Sequence, residues 1–151
     1  MRKLPVPTDI EELLRKPNPA VLACLRPDGT PLSCPVWYLW RDGEVLLTFD
    51  SERKRLRFIR QNPAVSLTVL DGEDWARYVG LSWRVVEISA DAGLRVVDEV
   101  SRHYMNLPYP DRDRPRVYGR MAVDGWFGWN AYDSVKGLRA GDEAVDRPPI
   151  S

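Results

Sequence analysis

The sequence predicts an α+β fold dominated by antiparallel β-strands that form a closed or split barrel. Short apolar runs of strand length recur along the chain, separated by turn residues such as Asp28-Gly29 and Asp42-Gly43. Helical spacing occurs in short stretches that begin at Thr8, at about Glu52 and at Leu94. With 151 residues, the chain is long enough for one domain with a sizeable core.

The first part of the chain predicts one helix and three strands. Thr8 is expected to cap the helix, with Glu11 at capping-box spacing, and Pro17-Asn18-Pro19 ends it. The strands are predicted at Ala20 to Leu25, Pro31 to Trp40 and Val45 to Phe49, joined by turns. Three antiparallel strands in succession would form a meander.

The second part continues this pattern around a basic helix from about Glu52 to Arg60, which Asn62-Pro63 stops. Further elements are predicted at Ala64 to Asp71 (strand), Tyr78 to Ile88 (strand), Leu94 to Met105 (helix), and Val117 to Val123 with Gly125 to Trp129 (last strand or strands). We therefore expect about six strands in a domain over residues 1–132, followed by a polar tail over 133–151.

Composition excludes some classes of function. The chain balances 22 basic against 22 acidic residues, which disfavours nucleic acid and membrane surfaces as partners. No apolar run approaches the roughly 18 residues of a membrane span, and no signal peptide is visible, so we expect a cytoplasmic protein. Cys24 and Cys34 lie in neighbouring predicted strands and are expected to be buried small hydrophobes. No Cys/His cluster has the spacing of a metal site.

A cluster of cations follows the third predicted strand. Ser51 and Glu52 would suit the first turn of the basic helix, beside Arg53, Lys54 and Arg55. A helix N-terminus with arginines beside it is suited to hold a phosphate. The alternative is an ordinary solvated basic helix face, and the residues alone leave both open.

The order of several motifs resembles a known family. They are Asn18-Pro19-Ala20-Val21-Leu22-Ala23, Pro27-Asp28-Gly29-Thr30-Pro31, Pro35-Val36-Trp37-Tyr38-Leu39-Trp40, the basic helix, and Asn62-Pro63 with the strand after it. This order resembles the pyridoxamine-phosphate-oxidase-like split-barrel flavoproteins, and within them the branch that uses the deazaflavin coenzyme F-420. The resemblance covers roughly residues 10–129.

The resemblance implies a homodimer with two cofactor sites at the subunit interface. It places phosphate-binding cations at Arg53, Arg55 and Arg57, the cofactor ring beside Val36, Trp37 and Tyr38, and a segment that reaches the partner's site at Trp75, Arg77 and Tyr78. Together with Ser51 and Lys54, these are the predicted cofactor-binding residues. Three positions depart from the family pattern: Trp83 for a usual Gly, Gly80 for a common acid, and Phe58 for a usual Asn.

The predicted function is an oxidoreductase that uses coenzyme F-420 to reduce a small electron-poor organic substrate. Because a flavin or deazaflavin performs hydride chemistry itself, the absence of an evident acid–base constellation fits this prediction. His103 stands alone in a predicted helix, where a structural or exposed role is more usual than a catalytic one. FMN is the alternative cofactor. The alternative class is a non-catalytic module that binds a flavin-type or haem-type ligand, or whose pocket Trp83 blocks.

Overall fold

The computed structural model describes residues 1–129 as one antiparallel sheet with three α-helices. The strands are β1 (Ala20–Leu25), β2 (Pro31–Val36), β3 (Tyr38–Arg41), β4 (Glu44–Asp50), β5 (Ala64–Leu70), β6 (Tyr78–Ala90) and β7 (Arg116–Trp129). The helices are α1 (Thr8–Arg15), α2 (Lys54–Gln61) and α3 (Arg95–Met105), and a 3₁₀ turn at Ala92–Leu94 precedes α3. The predicted mainly antiparallel α+β class is confirmed, with seven strands described instead of about six. The tail predicted over 133–151 lies outside the described residues.

The sheet has the order β2-β1-β5-β6-β7-β4-β3. The long strands β6 and β7 join its two ends, and register shifts at Ser82/Trp83 and Val85/Glu87 interrupt their pairing. Such irregularities bend a strand and increase its local twist, which long strands need when a sheet curves into a barrel. None of the helices among residues 1–129 has the length and apolar character needed to span a membrane.

The core lies on the inner face of this curved sheet. Alternate residues of β1, β4 and β5 are buried, so that Leu22, Leu47 and Leu67 are each at most 1% exposed. Helix α2 closes one side of the core by burying Leu56 and Ile59, while Arg57 and Arg60 remain exposed. The core therefore fixes the position of the basic helix relative to the sheet.

The predicted second strand is in fact two strands, which corrects the meander. Val36, the last residue of β2, pairs with Ala20 of β1 at one end of the sheet. Tyr38, two residues later, pairs with Leu47 of β4 at the other end. One straight strand cannot serve both ends, so the chain breaks at Trp37. The break frees the Trp37 side chain from the sheet.

Two predicted helix starts also need correction. Thr8 is the first helical residue; Pro7 occupies the cap, and its carbonyl accepts the Glu11 amide at 2.9 Å. Helix α2 begins at Lys54 with Arg53 as its cap. Ser51 and Glu52 lie in the preceding turn, where the Asp50 carboxylate already accepts the Glu52 amide at 3.0 Å. The helix cap therefore requires no Ser51 hydroxyl.

Candidate functional site

The larger cavity of the site has a volume of about 680 Å³, within the usual range for small-molecule sites. It lies where the end of β2 and Trp37 meet β1, β4 and α3. Its wall is mostly apolar, and none of the described residues that line it is acidic. The lining residues are Pro17, Pro19, Ala20, Val21, Pro35, Val36, Trp37, Thr48, Arg55, Leu70, Tyr104, Tyr109 and Arg116.

A pair of stacked rings forms one part of this wall. The rings of Trp37 and Tyr104 are parallel to within 10°, with centroids 5.2 Å apart. The Tyr104 hydroxyl donates to the Asn18 carbonyl at 2.7 Å, and burial raises the pKa of Tyr104 to about 12. Tyr38 meets the Tyr104 ring edge-on at 6.5 Å. The rings are thus held from two sides and present a rigid aromatic surface to the cavity.

Arg55 links this cavity to a second, basic one. One Nη donates to the Cys34 Sγ at 2.7 Å, and the guanidinium lies 5.5 Å from the centre of the Phe49 ring. The Nε of Arg55 is buried, and no described residue accepts a hydrogen bond from it. Because a buried donor without an acceptor costs about 1–3 kcal/mol, this atom is suited to receive an anionic ligand.

The second cavity has a volume of about 420 Å³ and lies at the start of α2. Leu32, Glu52, Arg53, Lys54 and Arg55 line it. Among residues 1–129, none of the three cations forms an ion pair with an acid. Their charge, together with the N-terminal end of the helix, favours an anion.

Arg116, at the start of β7, is a further cation of the larger cavity that the sequence did not indicate. Its Nη atoms contact the Tyr109 hydroxyl and the Thr48 Oγ1, each at 3.4 Å. Its guanidinium lies 4.5 Å from the centre of the Tyr109 ring, and its buried Nε has no hydrogen-bond partner within residues 1–129. The larger cavity therefore contains two arginines, each with an unsatisfied buried donor.

The sequence of this chain matches a known protein family. The family model described as pyridoxamine 5'-phosphate oxidase matches residues 6–130. The chain belongs to this family. The match confirms both the predicted family and the split-barrel class, and no curated protein matches.

Solved structures agree with the family assignment. An F-420 reductase is 29% identical to this chain, over 80% of this chain and 98% of that one, with a TM-score of 0.72. A conserved hypothetical protein from Mycobacterium tuberculosis is 23% identical over 99% and 92% of the two chains, with a TM-score of 0.67. An FAD-binding protein from Mesorhizobium loti is 21% identical over 84% of this chain and 95% of that one, with a TM-score of 0.58. The last two show the shared fold.

In this family member, the predicted site residues divide between the cavities and other positions. Val36 and Trp37 line the larger cavity, Arg53 and Lys54 line the basic one, and Arg55 lines both. The Tyr38 side chain is fully buried in the core, where its hydroxyl donates to the Leu14 carbonyl at 2.7 Å. The Ser51 hydroxyl donates to the Pro115 carbonyl at 2.9 Å, and Arg57 is exposed outside both cavities.

The segment predicted to reach a partner lies in and after the loop between β5 and β6. Trp75 is 78% exposed, and Arg77 pairs with Asp74 at 3.5 Å. Tyr78 meets the Phe127 ring edge-on at 6.3 Å; burial raises its pKa, and its hydroxyl has no hydrogen-bond partner among residues 1–129. These three residues line neither of the two cavities described above.

The departures from the family pattern have local explanations. A Cβ at Gly80 would lie 2.2 Å from Cε1 of Phe127, so the Phe127 ring occupies the space that an acidic side chain would need. Trp83 is 48% exposed and lines neither cavity, and Phe58 packs against the core. His103 meets Tyr104 edge-on at 5.5 Å but does not line the cavity. Across residues 1–129, no group of three or more His, Cys, Asp and Glu side chains is placed to hold a metal ion.

Proposed function

We propose that this protein is an oxidoreductase that uses coenzyme F-420 as a hydride carrier to reduce a small electron-poor organic substrate. The observation that carries the proposal is the position of Arg55. It lies between a basic cavity and an apolar, aromatic-lined one, and its buried Nε lacks an acceptor. A flavin-type cofactor has the same division between a phosphate and a flat ring.

The donors present fit such a cofactor. A phosphate oxygen at Arg55 would satisfy the buried Nε, with Arg53 and Lys54 as further cations of the same cavity. The ring would lie in the larger cavity beside Val36 and Trp37. When bound, the deazaflavin supplies the hydride exchange. The residues of this chain bind it, orient it and exclude water.

Tyr104 would act in this site as a fixed support. With a pKa of about 12 it stays protonated at neutral pH, and its proton is directed to the Asn18 carbonyl. A general base at neutral pH needs a pKa much closer to 7. Its contribution is therefore to hold Trp37 in position beside the ring.

FMN is the second candidate cofactor, because it offers the same phosphate and a similar ring. The longer, acidic tail of F-420 requires additional cations. Arg57 and Arg60 of α2 are both exposed, and within the described part of the chain neither pairs with an acid. This free basic face favours F-420. The blocked-pocket alternative lacks support, since Trp83 lies outside both cavities.

The proposal includes a homodimer in which Trp75, Arg77 and Tyr78 of each protomer complete the partner's cofactor site. The exposed Trp75 ring and the unpartnered Tyr78 hydroxyl support it, because a partner surface would cover the first and satisfy the second. The cytoplasmic location expected from the sequence stays a prediction.

Anaerobic turnover with reduced F-420 tests the activity. A cyclohexenone and a naphthoquinone are suitable electron-poor substrates, and the absorbance of oxidised F-420 reports the reaction. We expect the wild-type protein to accelerate oxidation of the cofactor, and Arg55→Ala to lose most of this activity at subsaturating cofactor. Turnover with reduced FMN but not with reduced F-420 would assign the alternative cofactor.

A further inference from the structure

Arg116 differs from the other arginines in its part of the chain. Arg112, Arg114 and Arg120 each pair with a carboxylate, at 2.5 Å to Asp98, 3.0 Å to Asp50 and 2.8 Å to Glu44. Arg116 has only two neutral hydroxyls, both at the long distance of 3.4 Å. Within the described residues, its guanidinium forms no ion pair; the nearby Asp50 carboxylate interacts with its charge at longer range and is already paired with Arg114.

The surroundings of Arg116 increase the need for an anion. Its Nε is buried and unpartnered, so a donor has been removed from water without compensation. The Tyr109 ring lies 4.5 Å from the guanidinium carbon and restricts the movement of this side chain. A fixed guanidinium presents two parallel N–H groups that match the two oxygens of a carboxylate.

The cavity itself supports a second anionic group. Arg55 and Arg116 both line it, and no described lining residue is acidic. An apolar wall strengthens the attraction between opposite charges because it excludes water. Since the phosphate of the proposed cofactor uses Arg55, Arg116 remains for another anion.

We propose that Arg116 binds the carboxylate of an unsaturated or aromatic organic acid, which is the substrate class of this cavity. The flat carbon body of the acid would share this cavity with the cofactor ring and lie against the aromatic and proline side chains that the ring leaves free. Thr48 and Tyr109, which contact Arg116, line the cavity beside it and offer hydroxyl donors to the same carboxylate. The assignment as a substrate rests on the proposed function, whereas the binding site itself does not.

Equilibrium binding of 2-naphthoate and of its neutral isostere 2-naphthamide tests this site without turnover. We expect the wild-type protein to bind the acid at least about 10-fold more tightly than the amide, as a charge-assisted hydrogen bond allows. Arg116→Gln should remove this preference, and so should Arg116→Met, which fills a similar volume should the Gln variant fail to fold. The control is Arg120→Gln, a charge loss on the same strand outside the cavity, which should preserve the preference.

Four results would overturn the proposal. The first is a preference for the acid that survives loss of Arg116, and the second is an equal loss in Arg120→Gln. The third is a larger loss of naphthoate affinity in Arg55→Ala than in Arg116→Gln when no cofactor is present. Tighter binding of inorganic phosphate than of naphthoate at Arg116 would likewise overturn the assignment to a carboxylate. Titrations with F-420 and with FMN test the cofactor proposal separately. If neither cofactor binds, the cofactor proposal fails, but the naphthoate results and the conclusion about Arg116 are unchanged.

Discussion

Two half-buried tyrosines, Tyr78 and Tyr104, provide a matched test of the site's architecture. The Tyr104 hydroxyl donates to the Asn18 carbonyl at 2.7 Å, whereas the buried Tyr78 hydroxyl has no hydrogen-bond partner among the residues that the structure describes. Tyr104→Phe leaves the Asn18 acceptor unsatisfied, so we expect a loss of about 1–2 kcal/mol in the free energy of unfolding. Tyr78→Phe removes no hydrogen bond within one protomer, so at concentrations where the protein is monomeric its free energy of unfolding should stay within about 0.5 kcal/mol of the wild type.

Urea unfolding followed by tryptophan fluorescence measures both values. For a chain of this size, the loss in Tyr104→Phe corresponds to a fall in Tm of about 2–8 °C. An equal or smaller effect of Tyr104→Phe than of Tyr78→Phe would refute the reasoning. Tyr104→Ala removes the ring stack with Trp37 as well, and should cost about 3–5 kcal/mol.

Alkaline pH provides an independent test of the same hydroxyl. The pKa of Tyr104 is raised in the folded protein from 10.0 to about 12, so its contribution to stability is complete below pH 10 and is lost as the pH rises to 12. After allowance for solvent screening of a half-buried ring, the loss is about 2 kcal/mol. Tyr104→Phe cannot titrate there, so the stability difference between wild type and variant should shrink across this interval.

Three further predictions concern other parts of the domain. The Asp98 carboxylate pairs with Arg112 and accepts the Tyr109 amide at 2.9 Å, and these contacts lower its pKa. Asp98→Asn should therefore lower Tm at about pH 7. The difference in Tm between wild type and variant should disappear as the pH falls below about 4, because the carboxyl of the unfolded chain titrates there. Gly80→Ala places a Cβ 2.2 Å from the Phe127 ring and should cost about 1–3 kcal/mol, and an unchanged urea midpoint would contradict this clash. Burial raises the pKa of the Cys24 thiol, so a thiol reagent should label the half-buried Cys34 first, and equal labelling rates for the two thiols would contradict this order. A cofactor bound at Arg55, whose Nη lies 2.7 Å from the Cys34 Sγ, should slow the labelling of Cys34.

The sequence predicted those elements whose pattern is local. The strands β1, β4 and β5 have alternating apolar residues because one face of each meets the core, and the turns at Gly29 and Gly43 need the positive φ that glycine adopts readily. The break at Trp37 was not predictable in this way. It depends on the choice of two different partner strands, which is made far away in the sequence.

The candidate site shows the same division. Arg53, Lys54 and Arg55 were found because they stand together beside a helix start. Arg116 was missed because it follows Asp111-Arg112-Asp113-Arg114-Pro115, a run that has the composition of an exposed loop. What distinguishes Arg116 is that its guanidinium contacts the Thr48 hydroxyl and the Tyr109 ring and forms no ion pair with a described carboxylate. Because Thr48 lies 68 residues away in the chain, the sequence around Arg116 does not reveal this arrangement.

Equilibrium titration with F-420, and separately with FMN, tests the central claim most directly. Quenching of tryptophan fluorescence reports binding, because Trp37 lines the cavity. We predict tighter binding of F-420 than of FMN, a loss of affinity of about 10-fold or more in Arg55→Ala, and a smaller loss in Arg57→Ala, whose side chain lies outside both cavities. Binding of neither cofactor, or equal affinities of wild type and Arg55→Ala for both, would contradict the account.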